Sequence, residues 1–201
     1  MNKPYQKHLV KAHPNFKKLL KKVGPMKMQR SASKEAYRAL IRSVVYQQLS
    51  GKAAAKILER FVALFGPEFP EPSQVILKSV EELRLAGLSR SKAETILRVA
   101  TETHFGRIPG IKEIQKMSDS EIIECLTKIK GIGPWTVQMY LMFTLRRPDV
   151  MPAADYGVRK GYQKFLGKRK LPTPKQLEIE TRSWAPYRSY AAWYMWRILE
   201  D

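Results

Sequence analysis

Cysteine is almost missing from these 201 residues. Cys125 stands alone, which excludes a disulfide framework and any zinc or iron–sulfur centre built on several cysteines. Long apolar runs are absent too: no stretch approaches the about 18 residues of a membrane-spanning helix. The opening Met1-Asn-Lys-Pro-Tyr-Gln-Lys7 lacks the apolar segment of a secretory signal. The expectation is an intracellular protein without a membrane partner, nuclear in a eukaryote and otherwise in the cytoplasm or nucleoid. Acidic residues are scarce, 18 against 37 Lys and Arg, for a net charge of +19, and the first 30 residues contain no acid at all. A polyanion is the expected partner, although charge alone does not separate DNA, RNA and anionic lipid.

Strand-like alternation is nearly absent as well, and the long segments repeat with helical period, so an all-α fold is expected. Ser33 is placed to cap a helix carrying Tyr37, Leu40, Ile41, Val44 and Val45 on one face. After a Gln47-Gln48-Leu49-Ser50-Gly51 break, Ala54, Ile57, Leu58, Phe61, Val62 and Phe65 form a second stripe, stopped by Gly66-Pro67. Capping boxes mark three more starts: Ser79 with Glu82, Ser118 with Glu121, and Thr173 with Gln176, the last followed by Pro174. Leu85-Ala-Gly87-Leu88-Ser-Arg-Ser-Lys92-Ala93 reads as a structural turn between helices, and Arg182–Glu200 as a final aromatic-rich helix after Pro186. No long linker interrupts the chain. It is expected to be one domain of two helical subdomains flanking a cleft, the first at 34–125 and the second at 126–201 packed with 1–33.

Leu126-Thr-Lys-Ile-Lys130-Gly131-Ile-Gly133-Pro-Trp-Thr136-Val137 is the most specific segment. An amphipathic helix with Ile122, Ile123, Leu126 and Ile129 runs into a Gly-x-Gly turn, and Pro134 opens a helix carrying Val137, Leu141 and Leu145. That is the requirement for a helix-hairpin-helix, whose bare backbone N–H groups can hold a DNA phosphate. Gly131, Gly133, Lys130 and Thr136 are the candidate phosphate contacts. Lys52, Arg159 and Lys160 are plausible neighbours that read equally well as solvated surface charge. Asp155, downstream, is suited to cap a helix through Val158, Tyr162 and Phe165.

Lys130-Gly-Ile-Gly-Pro-Trp-Thr-Val followed by Met151-Pro-Ala-Ala-Asp155 resembles the helix-hairpin-helix DNA glycosylase superfamily (HhH-GPD fold), specifically its alkylpurine, 3-methyladenine glycosylase II branch. Ile41-Arg-Ser-Val-Val-Tyr-Gln47-Gln48-Leu49-Ser50-Gly-Lys-Ala-Ala and Trp184-Ala-Pro-Tyr-Arg-Ser-Tyr-Ala-Ala-Trp-Tyr-Met-Trp196-Arg extend the likeness over nearly the whole chain.

The resemblance implies base excision repair of duplex DNA containing alkylated bases or abasic sites, by a monomer. Asp155 would be the catalytic carboxylate, stabilising the positive charge that develops on the deoxyribose or orienting the attacking water. Trp135 stands where bifunctional relatives carry a Schiff-base lysine, which implies a monofunctional hydrolase without a lyase step. Trp135 and Trp196 would line a pocket for the flipped, cationic base. Gln48, flanked by Leu49 and Ser50, would fill the gap left in the base stack. No cofactor is implied for catalysis, but a structural Na+ or K+ would sit on the main-chain carbonyls of Thr127, Ile129 and Ile132. Departures from the family pattern at Tyr46, Ala154 and Ser50 leave an alternative: a catalytically weak or inactive homologue that binds abasic or distorted DNA.

Overall fold

The computed structural model describes residues 3–26, 35–49 and 51–200, and all regular structure among them is helical. Contacts gather the chain into two compact units, Ser31–Tyr140 and Met1–Arg30 with Leu141–Asp201. The hairpin, expected to belong with the closing helices, is contained in the first of these.

Within Ser31–Tyr140 the first two helices are α1 (Ala36–Tyr46) and α2 (Gly51–Ala63). The cap expected at Ser33 lies outside the described residues, and Glu35 precedes α1 without a side-chain cap bond. The predicted face of α1 is buried at Tyr37, Leu40, Ile41, Val44 and Val45. The stripe of α2 is covered only in part: Ala54 and Phe61 are buried, whereas Ile57, Leu58, Val62 and Phe65 stay half-exposed. Short helices α3 (Pro72–Val75) and α4 (Val80–Arg84) lead to α5 (Arg90–His104). The last is the central post, packing on α1, α3 and α4 through buried Ala93, Ile96, Val99 and Ala100. The helical turn α6 (Ile111–Ile114) precedes α7 (Asp119–Thr127), which the hairpin joins to α8 (Pro134–Met139). Helix α8 packs on both α7 and α1.

A π-helical turn, Tyr140–Thr144, carries the chain out of this unit. In the other unit, α9 (Pro4–Ala12) and α10 (Asn15–Val23) pair at the amino end, while α11 (Tyr156–Leu166), α12 (Pro174–Glu180) and α13 (Arg188–Arg197) follow the π turn. Phe16 anchors the core, its ring 4.6 Å from Phe165 and 5.0 Å from Trp184. The lysines of α10, at positions 17, 18, 21 and 22, all face solvent opposite Phe16, Leu19 and Leu20.

All three capping boxes form as read: Ser79, Ser118 and Thr173 accept from the N–H groups of Glu82, Glu121 and Gln176, whose side chains return the bond. The final helix is shorter than expected. Arg182–Trp184 makes a 3-10 turn, and α13 starts only at Arg188, beyond a cis Ala185–Pro186 peptide.

Candidate active-site carboxylate and nucleic-acid interface

Asp155 sits at the N-cap of α11 with extended backbone, and its Oδ1 accepts the Val158 N–H at 2.7 Å. The same oxygen accepts the indole N–H of Trp196 at 2.8 Å. Two donors on one oxygen, one of them backbone, fix the carboxylate's direction. Trp196 is half-buried and its ring lies 5.8 Å from that of Phe143. The ring therefore contacts the carboxylate directly, an arrangement that a pocket-wall assignment alone did not foresee.

Two glycines in α11 permit this approach. A Cβ on Gly157 would lie 2.8 Å from Trp196 Cδ1, and one on Gly161 only 1.9 Å from the Met195 carbonyl oxygen. Helix α13 thus lies against bare backbone one turn apart, at the residues that deliver Trp196. Interior helical glycine costs about 1 kcal/mol relative to alanine, so the Gly157-x-x-x-Gly161 spacing was an unused sequence signal of close packing. The segment leading to Asp155 is tied to the start of α13. Arg188 makes a bidentate pair with Asp149, both bonds 2.8 Å, and Ser189 Oγ donates to the Arg147 carbonyl at 2.7 Å while accepting the Val150 N–H at 2.9 Å. The guanidinium beside Asp149 holds its carboxyl below the usual range.

In the unit Ser31–Tyr140, α7 ends at Thr127 and the hairpin turns on Gly131 at φ +98°. Ile132 donates to the Ile129 carbonyl at 2.9 Å, Gly133 forms the N-cap and Pro134 occupies the first position of α8. Ile132 and Val137 are buried beneath the turn while Lys130 and Gly131 are exposed on it. Thr136 differs from expectation: its side chain is buried, and its hydroxyl accepts the Gln47 amide N–H at 3.0 Å instead of facing solvent beside Lys130. Trp135 is half-buried on α8.

Gln48 and Leu49 are exposed, as a stack-filling role requires, and Ser50 lies outside the described residues. Leu49 N–H points back to the Tyr46 carbonyl at 3.4 Å, Gln47 has φ −54° and ψ 127°, and Gln48 has φ +55°. These are type II turn angles with glutamine where glycine or asparagine is usual. Lys52 and Lys160 are exposed, but Arg159 turns inward and donates to the Pro172 carbonyl at 2.7 Å. Among the described residues no cluster of three or more His, Cys, Asp or Glu side chains could hold a metal ion.

A helix-hairpin-helix and a helix-capping aspartate downstream define a class of DNA repair protein, and comparison with known proteins agrees. Residues 41–186 match the family described as HhH-GPD superfamily base excision DNA repair protein, and the chain belongs to it. It is 41% identical to DNA-3-methyladenine glycosylase 1 of Schizosaccharomyces pombe, over 94% of this chain and 84% of that protein. With alkylbase DNA glycosidase-like protein mag2 of the same yeast it shares 37%, over 96% and 92%. Among solved structures, S. pombe 3-methyladenine DNA glycosylase (Mag1) in complex with abasic DNA superposes with a TM-score of 0.92 at 40% identity, covering 97% of this chain and 96% of that one. The Bacillus halodurans DNA-3-methyladenine glycosidase gives 0.79 at 32%, with 98% and 89% covered.

Proposed function

We propose that this protein is a monofunctional DNA glycosylase of base excision repair that removes alkylated purines such as 3-methyladenine from duplex DNA. The observation that carries the proposal is the Asp155 carboxylate, oriented by the Val158 and Trp196 N–H groups. Relatives of 37–41% identity bear glycosylase or glycosidase names, which supports the same reading.

Cleaving the N-glycosidic bond sends its electron pair to the departing base and leaves positive charge on the sugar, where a water oxygen then bonds to C1′ and gives up a proton to solvent. An alkylated purine that is already cationic departs as a neutral base, so little general-acid help is needed. Asp155, ionised, supplies the negative charge that favours the oxocarbenium-like state. Trp135 and Trp196 offer aromatic faces to a cationic base. Trp135 carries no amine to capture the sugar aldehyde, so the strand is left intact at the abasic site.

The Gly131 and Gly133 N–H groups and Lys130 hold a backbone phosphate, while Gln48, with Leu49 and Ser50, replaces the extruded base in the stack. A monovalent cation at the hairpin would rest on the carbonyls of Thr127, Ile129 and Ile132. The turn that ends α7 and folds Ile129 back onto Ile132 provides oxygen donors of the type Na+ or K+ takes, without side-chain ligands. The protein is taken to act as a monomer inside the cell.

The test is incubation of the purified protein with methylated duplex DNA. Free 3-methyladenine should appear while the strand stays intact until the abasic site is cleaved with alkali. Tight binding of an abasic duplex with no base released from any alkylated substrate would instead identify a non-catalytic DNA-binding homologue.

A further inference from the structure

The turn Leu85–Ala93, which sequence alone presents as structural, starts a helix that touches both elements of the proposed DNA grip. Ser89 caps α5, and Lys92 stands in its first turn. A cation there opposes the dipole of its own helix. Its ammonium reaches instead to the carboxyl end of α1, donating to the carbonyl of Val45 at 2.9 Å and that of Gln47 at 2.7 Å. At that helix end the dipole favours it, and the carbonyls are ones a helix terminus leaves without intrahelical partners. Partial burial lowers the lysine's pKa below its ordinary value.

One turn further along α5, buried Thr95 supports the hairpin. A Cβ on Gly131 would lie 2.1 Å from Thr95 Oγ1 and 2.8 Å from its Cγ2, so the hairpin turn rests on this side chain with no room for anything but glycine. The Gln47 amide closes the circuit by donating to Thr136 on α8. All of these residues lie within Ser31–Tyr140. Gln48 holds a left-handed conformation that disfavours a non-glycine residue, and such a conformation persists where surrounding contacts over-determine it. Lys92 fixes the peptide on one side of Gln48, and Gln47 is clamped by both its carbonyl and its amide.

We propose that α5 is a strut between the hairpin and the Tyr46–Leu49 turn, and that Lys92 is a positioning residue that holds Gln48 ready to enter the base stack when the hairpin engages a phosphate. The proposal rests on the assignment of Gln48 as the stack-filling residue. Lys92 is not expected to touch the reacting base.

Three variants of the full chain, Lys92→Met, Lys92→Arg and Gln48→Ala, test it against wild type. One readout is 2-aminopurine fluorescence beside an abasic analogue in a duplex, which rises when the neighbouring base unstacks. The second is affinity for undamaged duplex, and the third is single-turnover base release from methylated DNA. Lys92→Met should keep undamaged-duplex affinity within about twofold yet lose most of the fluorescence rise and about tenfold or more in base release. Lys92→Arg, which can still reach two carbonyls, should recover most of both. Wild-type fluorescence in Lys92→Met overturns the strut, as does a loss that Lys92→Arg does not restore. Should Lys92→Met fail to fold by circular dichroism, Lys92→Leu, which likewise donates no hydrogen bond to the Val45 and Gln47 carbonyls, takes its place under the same criteria. Unchanged fluorescence in Gln48→Ala would instead refute the stack-filling assignment, and absence of base release in wild type would refute the glycosylase reading while leaving the fluorescence comparison intact.

Discussion

Replacing Gln48 with glycine should move stability and activity in opposite directions. At φ +55° the glutamine occupies the third position of a type II turn, a place where a side chain strains the backbone by about 1–2 kcal/mol. Glycine removes that strain but makes the unfolded chain freer by about 0.5–1 kcal/mol. The side chain is exposed, so its loss opens no cavity. The balance lies between about zero and 1.5 kcal/mol in favour of the folded state, or a rise in Tm of up to about 5 °C for a domain of this size. Base release should meanwhile fall, because the side chain that leads into the gap in the stack is gone. Thermal unfolding followed by circular dichroism, paired with single-turnover base release, measures both. Gln48→Asn, which tolerates the left-handed region and keeps a shorter amide, should be stable and only partly impaired. A Tm lowered by several degrees would show that the turn is not strained as described, and wild-type base release would remove Gln48 from the mechanism.

Gly161→Ala should be among the most destabilising single-methyl changes in the chain. The added carbon meets a main-chain oxygen that cannot rotate away, so a loss of about 3 kcal/mol and a drop in Tm of about 6–12 °C are expected in a calorimetric scan. Gly157→Ala meets the Trp196 ring, which can move, and should cost less stability but more base release, since the indole is pushed off Asp155. Trp196→Phe keeps an aromatic wall and loses the N–H donor, so base release at saturating enzyme should fall while abasic-duplex affinity holds. Asp149 has its pKa lowered, chiefly by the hydrogen bonds from Arg188. Its stabilising contribution is therefore complete above the ordinary carboxylate pKa of about 3.9 and is lost as pH falls through the lower folded value. Urea unfolding should show wild type more stable than Asp149→Asn by a constant margin from neutral pH to about pH 5, and by a shrinking margin below about pH 4.

What the sequence disclosed was local. The boxes at Ser79, Ser118 and Thr173 and the cap at Asp155 each depend on residues within three or four positions, and each formed as read. The hairpin was legible for the same reason, because Gly131, Gly133 and Pro134 carry its geometry in adjacent residues. Contacts between distant segments were not. Lys92 meets Val45 and Gln47, Arg188 meets Asp149, and Trp196 meets Asp155, across separations that no periodicity reveals. The interruption between Trp184 and Arg188 also escaped the reading, because aromatic spacing continued through Pro186. Thr136 was placed with the phosphate contacts on its position in the motif, but Gln47, far away in sequence, draws its hydroxyl inward.

The central claim is that the negative charge of Asp155 carries the chemistry, and Asp155→Asn tests it most directly. The amide oxygen can still accept from Val158 and Trp196, so the α11 cap and the Trp196 position should survive while the charge does not. Release of 3-methyladenine from methylated duplex DNA should become undetectable, with affinity for an abasic duplex within a few-fold of wild type. Base release at the wild-type rate by Asp155→Asn would contradict the account.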